Sequence, residues 1–241
     1  DQLTKPPGSL GRLEEVAVEL AGMTGELHPR VTPPGVLVFA ADHGIAEEGV
    51  SAYPAEVTAQ MVYNFANGGA AINVFSRRID ALLEIVDVGV AVPIEDERVI
   101  VKKVRHGTGN FAKTEAMTPE EAEQALHVGY ERAARIIGQG ARTFIAGEMG
   151  IGNTTAASAL LATLTDEPLE HIVGKGTGIA AERLVHKQEV IRQALALHRP
   201  DPAKPIEWLA KIGGLEIAAM AGAMLAAAER RIPILLDGFI C

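Results

Sequence analysis

Thr143-Phe144-Ile145-Ala146-Gly147-Glu148-Met149-Gly150-Ile151-Gly152-Asn153-Thr154-Thr155 runs from an apolar segment through a glycine turn into the Ala-rich stretch from Ala156 to Leu164. Strand, glycine turn, helix is the repeating unit of doubly wound α/β sheets. Glycines at 147, 150 and 152 let the backbone approach a ligand closely. The N–H groups that open the following helix, with its dipole, favour a phosphate there. Glu148 stands beside that cradle.

Outward from this unit the same alternation continues. Val36 to Ala40, Leu82 to Val88, Val99 to Val104 and Ile232 to Leu236 are short, apolar and bounded by Gly or Pro, as strands are. Helical patterns separate them. Thr118-Pro119-Glu120-Glu121 is a capping box with Pro at the first helical position, predicting a helix to about Ile137. Pro54 predicts a helix through Phe65, closed by Asn67-Gly68-Gly69, with a second running on to Arg77. Further helices are predicted over Ile179 to Leu197, Leu215 to Arg231 and, at the start, Leu10 to Met23. The fold class that follows is α/β: a doubly wound, mainly parallel sheet flanked by helices, with a small helical lobe that includes the N-terminal helix. Residues 1–30 are assigned to that lobe and 31–241 to a Rossmann-like domain. The proline-rich segment Arg199 to Pro205 is a connector within it, since helical patterning resumes on both sides.

The 241 residues carry a net charge of −9 with Lys and Arg scattered, which leaves no basic face for nucleic acid or an anionic membrane. The single cysteine, Cys241, excludes disulfides within the chain and a Cys-built zinc site, and fits a reducing cytoplasm. No apolar signal segment precedes the first helix, and the nearly uncharged run Ile217 to Ala228 is too short to span a bilayer. That run reads instead as a tightly packed internal helix. Ile232 to Phe239 reads as a core strand and turn, an unusual natural terminus, so further chain is expected beyond Cys241.

In doubly wound sheets, ligands sit beyond the carboxyl ends of the strands. Four such ends are polar here: Asp42-His43-Gly44, Asp87-Val88-Gly89, the Glu148 turn and Asp237-Gly238. The remaining histidines fall at no metal-ligand spacing, so no metal is expected and His43 reads as a hydrogen-bonded strand-end residue lining the pocket. A second glycine cluster, Gly174-Lys175-Gly176-Thr177-Gly178, precedes a helix bearing Lys187. It matches neither a Walker A loop nor a dinucleotide fingerprint. Two glycine cradles and one Lys suit a single phosphate monoester.

Lys5-Pro6-Pro7-Gly8-Ser9-Leu10-Gly11, Asp42-His43-Gly44, Gly49-Val50-Ser51, the Gly147 to Thr155 stretch, Gly213-Gly214 and Leu235-Leu236-Asp237-Gly238-Phe239 closely resemble, in order, the nicotinate-nucleotide–dimethylbenzimidazole phosphoribosyltransferase family. The resemblance runs from residue 3 to the end. It implies transfer of 5-phosphoribose from nicotinate mononucleotide to 5,6-dimethylbenzimidazole, giving α-ribazole 5′-phosphate and nicotinate, by a cytoplasmic homodimer without a cofactor. By resemblance, Gly150, Gly152, Asn153, Thr154, Thr155, Gly176 and Lys187 hold the phosphate and nucleotide. Asp42, His43, Ser51, Tyr53, Met61, Met149 and Ile151 line the slot for the flat base. The family's general base is a Glu in an Arg-Leu-Gly-Glu-Gly motif that does not occur up to Cys241. This leaves Glu148 a supporting role in positioning or proton transfer. A binder or sensor of a nucleotide or benzimidazole, without catalysis, is the alternative.

Overall fold

A computed structural model describes residues 3–176, 178 and 180–241. In chain order the elements are α1 (Arg12–Thr24), β1 (Pro34–Ala41), a 3-10 helix (Gly44–Glu48), α2 (Val57–Ala66), α3 (Ala71–Arg78), β2 (Leu82–Gly89), β3 (Val99–Val101), α4 (Pro119–Gly138), β4 (Thr143–Met149), α5 (Asn153–Ala162), α6 (Leu169–Ile172), α7 (Ala181–His198), α8 (Pro205–Ile212), α9 (Leu215–Glu229) and β5 (Ile234–Leu235). The strands form one sheet in the order β3-β2-β1-β4-β5, each neighbouring pair parallel. This is the doubly wound α/β class that the alternation of strands and helices predicts.

β1 lies at the centre, and all eight of its residues are buried, which requires the unbroken apolar run Pro34 to Ala41. Successive side chains go to opposite faces. Val36, Val38 and Ala40 join Val62, Phe65 and Ile85 on one face; Leu37, Phe39 and Ala41 join Phe144, Leu215 and Ala219 on the other. On that second face α4 and α9 touch backbone to backbone. A Cβ on Gly129 would lie 1.7 Å from the Ala219 carbonyl oxygen, and one on Gly222 would lie 1.9 Å from that of Leu126. The Ala- and Gly-rich composition of α9 is thus what lets it pack internally.

The capping box is built as its sequence specifies: Glu121 N donates to Thr118 Oγ1 at 3.2 Å, and Thr118 N donates to Glu121 Oε2 at 2.8 Å. Several boundaries differ from the sequence reading. β3 stops at Val101, where Lys103 turns inward to pair with buried Asp87 at 3.0 Å. β5 holds only two residues, because beyond Leu235 the chain leaves β4 and Leu236 is exposed. Pro54 opens a turn rather than the helix itself, with Val57 N donating to Pro54 O, so α2 begins at Val57. The α7 pattern starts at Ala181; residue 179, where the sequence places its start, lies outside the described residues. α1 buries none of its residues and is tied to the body through Arg231, whose guanidinium donates to the carbonyls of Gly22 and Met23, each at 2.9 Å.

Candidate active site

The sheet runs outward from β1 to β2 and β3, then returns to the other side of β1 for β4 and β5. This reversal makes the carboxyl ends of β1 and β4 the topological switch point, the place where doubly wound sheets bind their ligands. Asp42 and His43 leave β1 at that end and Glu148 leaves β4 beside them. The register pairs Phe39 with Glu148 and Ala40 with Met149.

His43 is 2% exposed, and its Nε2 lies 2.6 Å from Oε1 of Glu216 in the first turn of α9, with both side chains closed to solvent. Burial alone would keep this imidazole neutral. The carboxylates of Glu216, and then Asp42 and Glu148, outweigh it and raise the His43 pKa above its ordinary value. Asp42 is raised mainly by burial, while its Oδ2 accepts from Ala91 N at 2.7 Å. Gly150 owes its identity to this packing. A Cβ there would stand 2.2 Å from the Ala41 carbonyl oxygen and 3.1 Å from His43 Cδ2.

Glu148 is half-buried, and its pKa is pushed up to about 7 by desolvation and by the charge of Glu216, with His43 and Asn153 opposing the rise. The Asn153 side-chain amide donates a short hydrogen bond to Glu148 Oε2. Asn153, assigned to the phosphate by the family resemblance, therefore spends its amide on the carboxylate. The opening N–H groups of α5 are also partly engaged: Asn153 N donates to Gly150 O and Thr155 N to Gly152 O, while Ile151 N donates to Thr58 Oγ1. Thr155 is fully buried, and its Oγ1 has no hydrogen-bond partner among the described residues.

Lys187 on α7 is 0% exposed. Its Nζ donates to Thr154 Oγ1 at 2.9 Å and to Gly174 O at 3.4 Å. Among the described residues no carboxylate pairs with it, and burial lowers its pKa from 10.5 to about 8. Gly176 closes the group, since a Cβ there would sit 2.8 Å from Thr154 Oγ1 and 3.3 Å from Lys187 Nζ. The two glycine segments named from the sequence thus meet at one buried ammonium.

The residues assigned to the base are less uniformly gathered. Met61 on α2 and Met149 at the end of β4 are both partly buried against the same apolar cluster around Val38 and Val62. Ile151 is 4% exposed, packed inward, whereas Tyr53 is 55% exposed and its N–H donates to Ser51 Oγ at 3.3 Å within the bend before α2. Asp87 proves to be a cap, accepting from Gly89 N and Val90 N, and Asp237 is exposed. Glu216 is the residue that sequence reasoning missed. Its signal was a lone carboxylate after Gly213-Gly214, opening a helix apolar on all sides, where a buried charge must find a partner.

Cavities of about 390 and 480 Å³ open at the amino ends of β1, β4 and β5, among Arg30, Arg142 and Arg231 and between α1 and β5 respectively. Neither touches this cluster. No group of three His, Cys, Asp or Glu among the described residues could hold a metal ion, and no helix there is long and apolar enough to cross a membrane.

A buried ammonium held by residues of two glycine segments, and a separate carboxyl whose pKa is raised to about 7 at a switch point, are groups that a phosphoribosyl transfer can use. A family model described as "Phosphoribosyltransferase" matches residues 1–241. The nicotinate-nucleotide–dimethylbenzimidazole phosphoribosyltransferase of Halalkalibacterium halodurans is 54% identical over 238 residues, 99% of this chain and 67% of that protein. The protein of the same name from Chloroflexus aggregans is 51% identical over 241 residues, 100% of this chain and 68% of its own. The crystal structure of CobT from Thermus thermophilus superposes with a TM-score of 0.94 at 51% identity, covering 100% of this chain and 72% of that one. The chain belongs to the nicotinate-nucleotide–dimethylbenzimidazole phosphoribosyltransferase family.

Proposed function

We propose that the protein transfers 5-phosphoribose from nicotinate mononucleotide to 5,6-dimethylbenzimidazole, releasing nicotinate and forming α-ribazole 5′-phosphate. The observation that carries this reading is Lys187, a buried ammonium bonded to Thr154 and Gly174 with no carboxylate partner among the described residues. A phosphate monoester supplies the missing negative charge, and the pocket then gains charge-assisted hydrogen bonds in place of an uncompensated cation. Gly176 and Thr154 sit against the same ammonium and complete the seat.

With the phosphate held, the ribose is anchored at one end and its C1′ is presented at the end of β4. The C1′–N bond to nicotinate breaks with its electron pair going to the pyridine ring. The carbon passes through a cation-like state, and an imidazole nitrogen of the base forms the new C1′–N bond. The proton on the other imidazole nitrogen must then leave. Glu148, with a pKa of about 7, takes up or relays a proton at neutral pH far more readily than an ordinary carboxylate. Its negative form also favours the developing cation. Met61 and Met149 support the base slot as adaptable apolar surfaces.

The reading includes a cytoplasmic homodimer, for which the exposed Leu13 and Val18 of α1 and Phe75 and Ile79 at α3 offer apolar surface. Incubation of the protein with nicotinate mononucleotide, with and without the base, tests the reaction. Nicotinate is expected to appear only when both ligands are present. Binding of both without release sinks the transfer.

A further inference from the structure

The transfer gives no task to the protein's most deeply buried ion pair. His43 Nε2 and Glu216 Oε1 lie 2.6 Å apart, each side chain 0% exposed, and they connect the end of β1 to the head of α9. Backbone boxes in the imidazole. A Cβ on Gly214 would come within 2.4 Å of His43 Cε1, one on Gly150 within 3.1 Å of Cδ2 and one on Gly152 within 3.2 Å of its Cβ. Two of these three glycines belong to the turn that follows Glu148. The ring is therefore wedged against the segment that carries the site, with Glu216 bracing it from behind.

Packing alone is a poor reason for such a pair, because desolvating two charges costs about as much as their attraction returns, and apolar groups of the same shape hold a core as well. Its surroundings are also charged. Glu216, Asp42 and Glu148 all act on His43; Glu216 and His43 act on Glu148, together with the amide of Asn153; and Asp42 feels both members of the pair.

We propose that His43 and Glu216 form one positioning unit, which wedges the Gly147–Thr155 turn against the end of β1 and so orients Glu148 for the phosphoribosyl transfer. The proposal rests on the reaction under Proposed function and adds two residues to it. With both side chains closed to solvent, His43 does not line the base slot to which the sequence assigns it, and the pair acts through Glu148. Because they act together, removing either disables the unit.

Glu216→Gln keeps the shape and one hydrogen bond to a neutral imidazole, so it separates charge from volume. The expected result is a fall in kcat of about tenfold or more with KM for the nucleotide within about twofold. The midpoint of the kcat pH profile also moves to lower pH, since Glu216 opposes ionisation of Glu148 more than His43 favours it. His43→Asn gives a comparable fall in kcat, and the double variant loses no more than the worse single one. Unchanged kcat, an unmoved pH midpoint or losses that multiply in the double variant overturn the proposal. If Glu216→Gln does not fold, Glu216→Asp keeps the charge and withdraws it by one methylene. That variant should show the same split of kcat against KM, and parental kcat overturns the unit. An unmodified protein that releases no nicotinate overturns the transfer itself; release matched by Glu216→Gln overturns the positioning unit alone.

Discussion

Lys187 Nζ lies 2.9 Å from Thr154 Oγ1, a bond across 33 residues of sequence that joins α7 to the first turn of α5 and brings the two glycine turns to one point. The ammonium is fully buried and, among the described residues, faces no carboxylate. Lys187→Ala is expected to weaken nicotinate mononucleotide binding by about 10- to 100-fold, the worth of a charge-assisted hydrogen bond. Dimethylbenzimidazole binding should barely change. Calorimetric titration of each ligand checks this, and equal losses for both contradict the phosphate seat.

The same Lys sets a pH dependence for binding. With a pKa of about 8, it loses its charge as pH rises through that value. Nucleotide affinity should therefore hold between pH 6 and 7 and decline above 8, while the affinity of the base stays level over the alkaline range. Dissociation constants measured across pH 6 to 10 decide it, and a flat profile for the nucleotide removes Lys187 from the phosphate.

The seat also has a stability signature. Lys187 binds its proton less tightly when folded, at about 8, than in the unfolded chain at 10.5, so the unfolded state carries the extra proton between those values. Stability from this group therefore rises with pH over that window. Lys187→Met should raise the stability of the ligand-free protein at pH 7 and lose that slope, while it weakens nucleotide binding as Lys187→Ala does. Urea melts at pH 7 and 10 test both halves; a less stable Met variant means that the ammonium is satisfied without a ligand.

Glu148 carries the opposite sign. Its folded pKa of about 7 exceeds the ordinary 4.5, so its contribution is full below pH 4.5 and is lost as pH rises through 7. Glu148→Gln should thus be more stable than the parent at pH 8, with little difference at pH 4.5, while kcat drops about tenfold or more for loss of a proton-handling group. Denaturation at the two pH values, beside steady-state rates, checks the pairing of gain and loss.

Much of this was legible in the sequence because it is local. The Thr118 capping box, the apolar run of β1 and the Gly147–Thr155 turn each specify their own conformation within a few residues, and the alternation of strands and helices then fixes a parallel sheet. Lys187 and Gly176 were legible as a charge and a glycine turn on neighbouring elements. The rest depends on residues that meet only in three dimensions. Glu216 and His43 are 173 positions apart, and nothing near either announces the other. Gly150 was read as making room for a ligand, yet the space its missing Cβ leaves is filled by Ala41 and His43. The family resemblance assigns Asn153 to the phosphate, and the fold turns its side-chain amide to Glu148. The 3-10 helix at Gly44–Glu48 carried no periodic signal, being five residues long.

That use of Gly150 yields a prediction of its own. In Gly150→Ala the new methyl would stand 2.2 Å from a backbone oxygen that cannot rotate away, so the turn or the end of β1 must shift. A loss of about 1–3 kcal/mol in stability is expected, as for other overpacked sites. A variant that melts with the parent shows that the turn is loose.

Group transfer ties each nicotinate released to one molecule of base consumed. The most direct measurement is a time course with dimethylbenzimidazole limiting and nicotinate mononucleotide in excess, both products being quantified by chromatography. One nicotinate and one α-ribazole 5′-phosphate should form for each base consumed, and release should stop when the base is exhausted. Nicotinate that keeps accumulating after that point, or never appears although both ligands bind, contradicts the account.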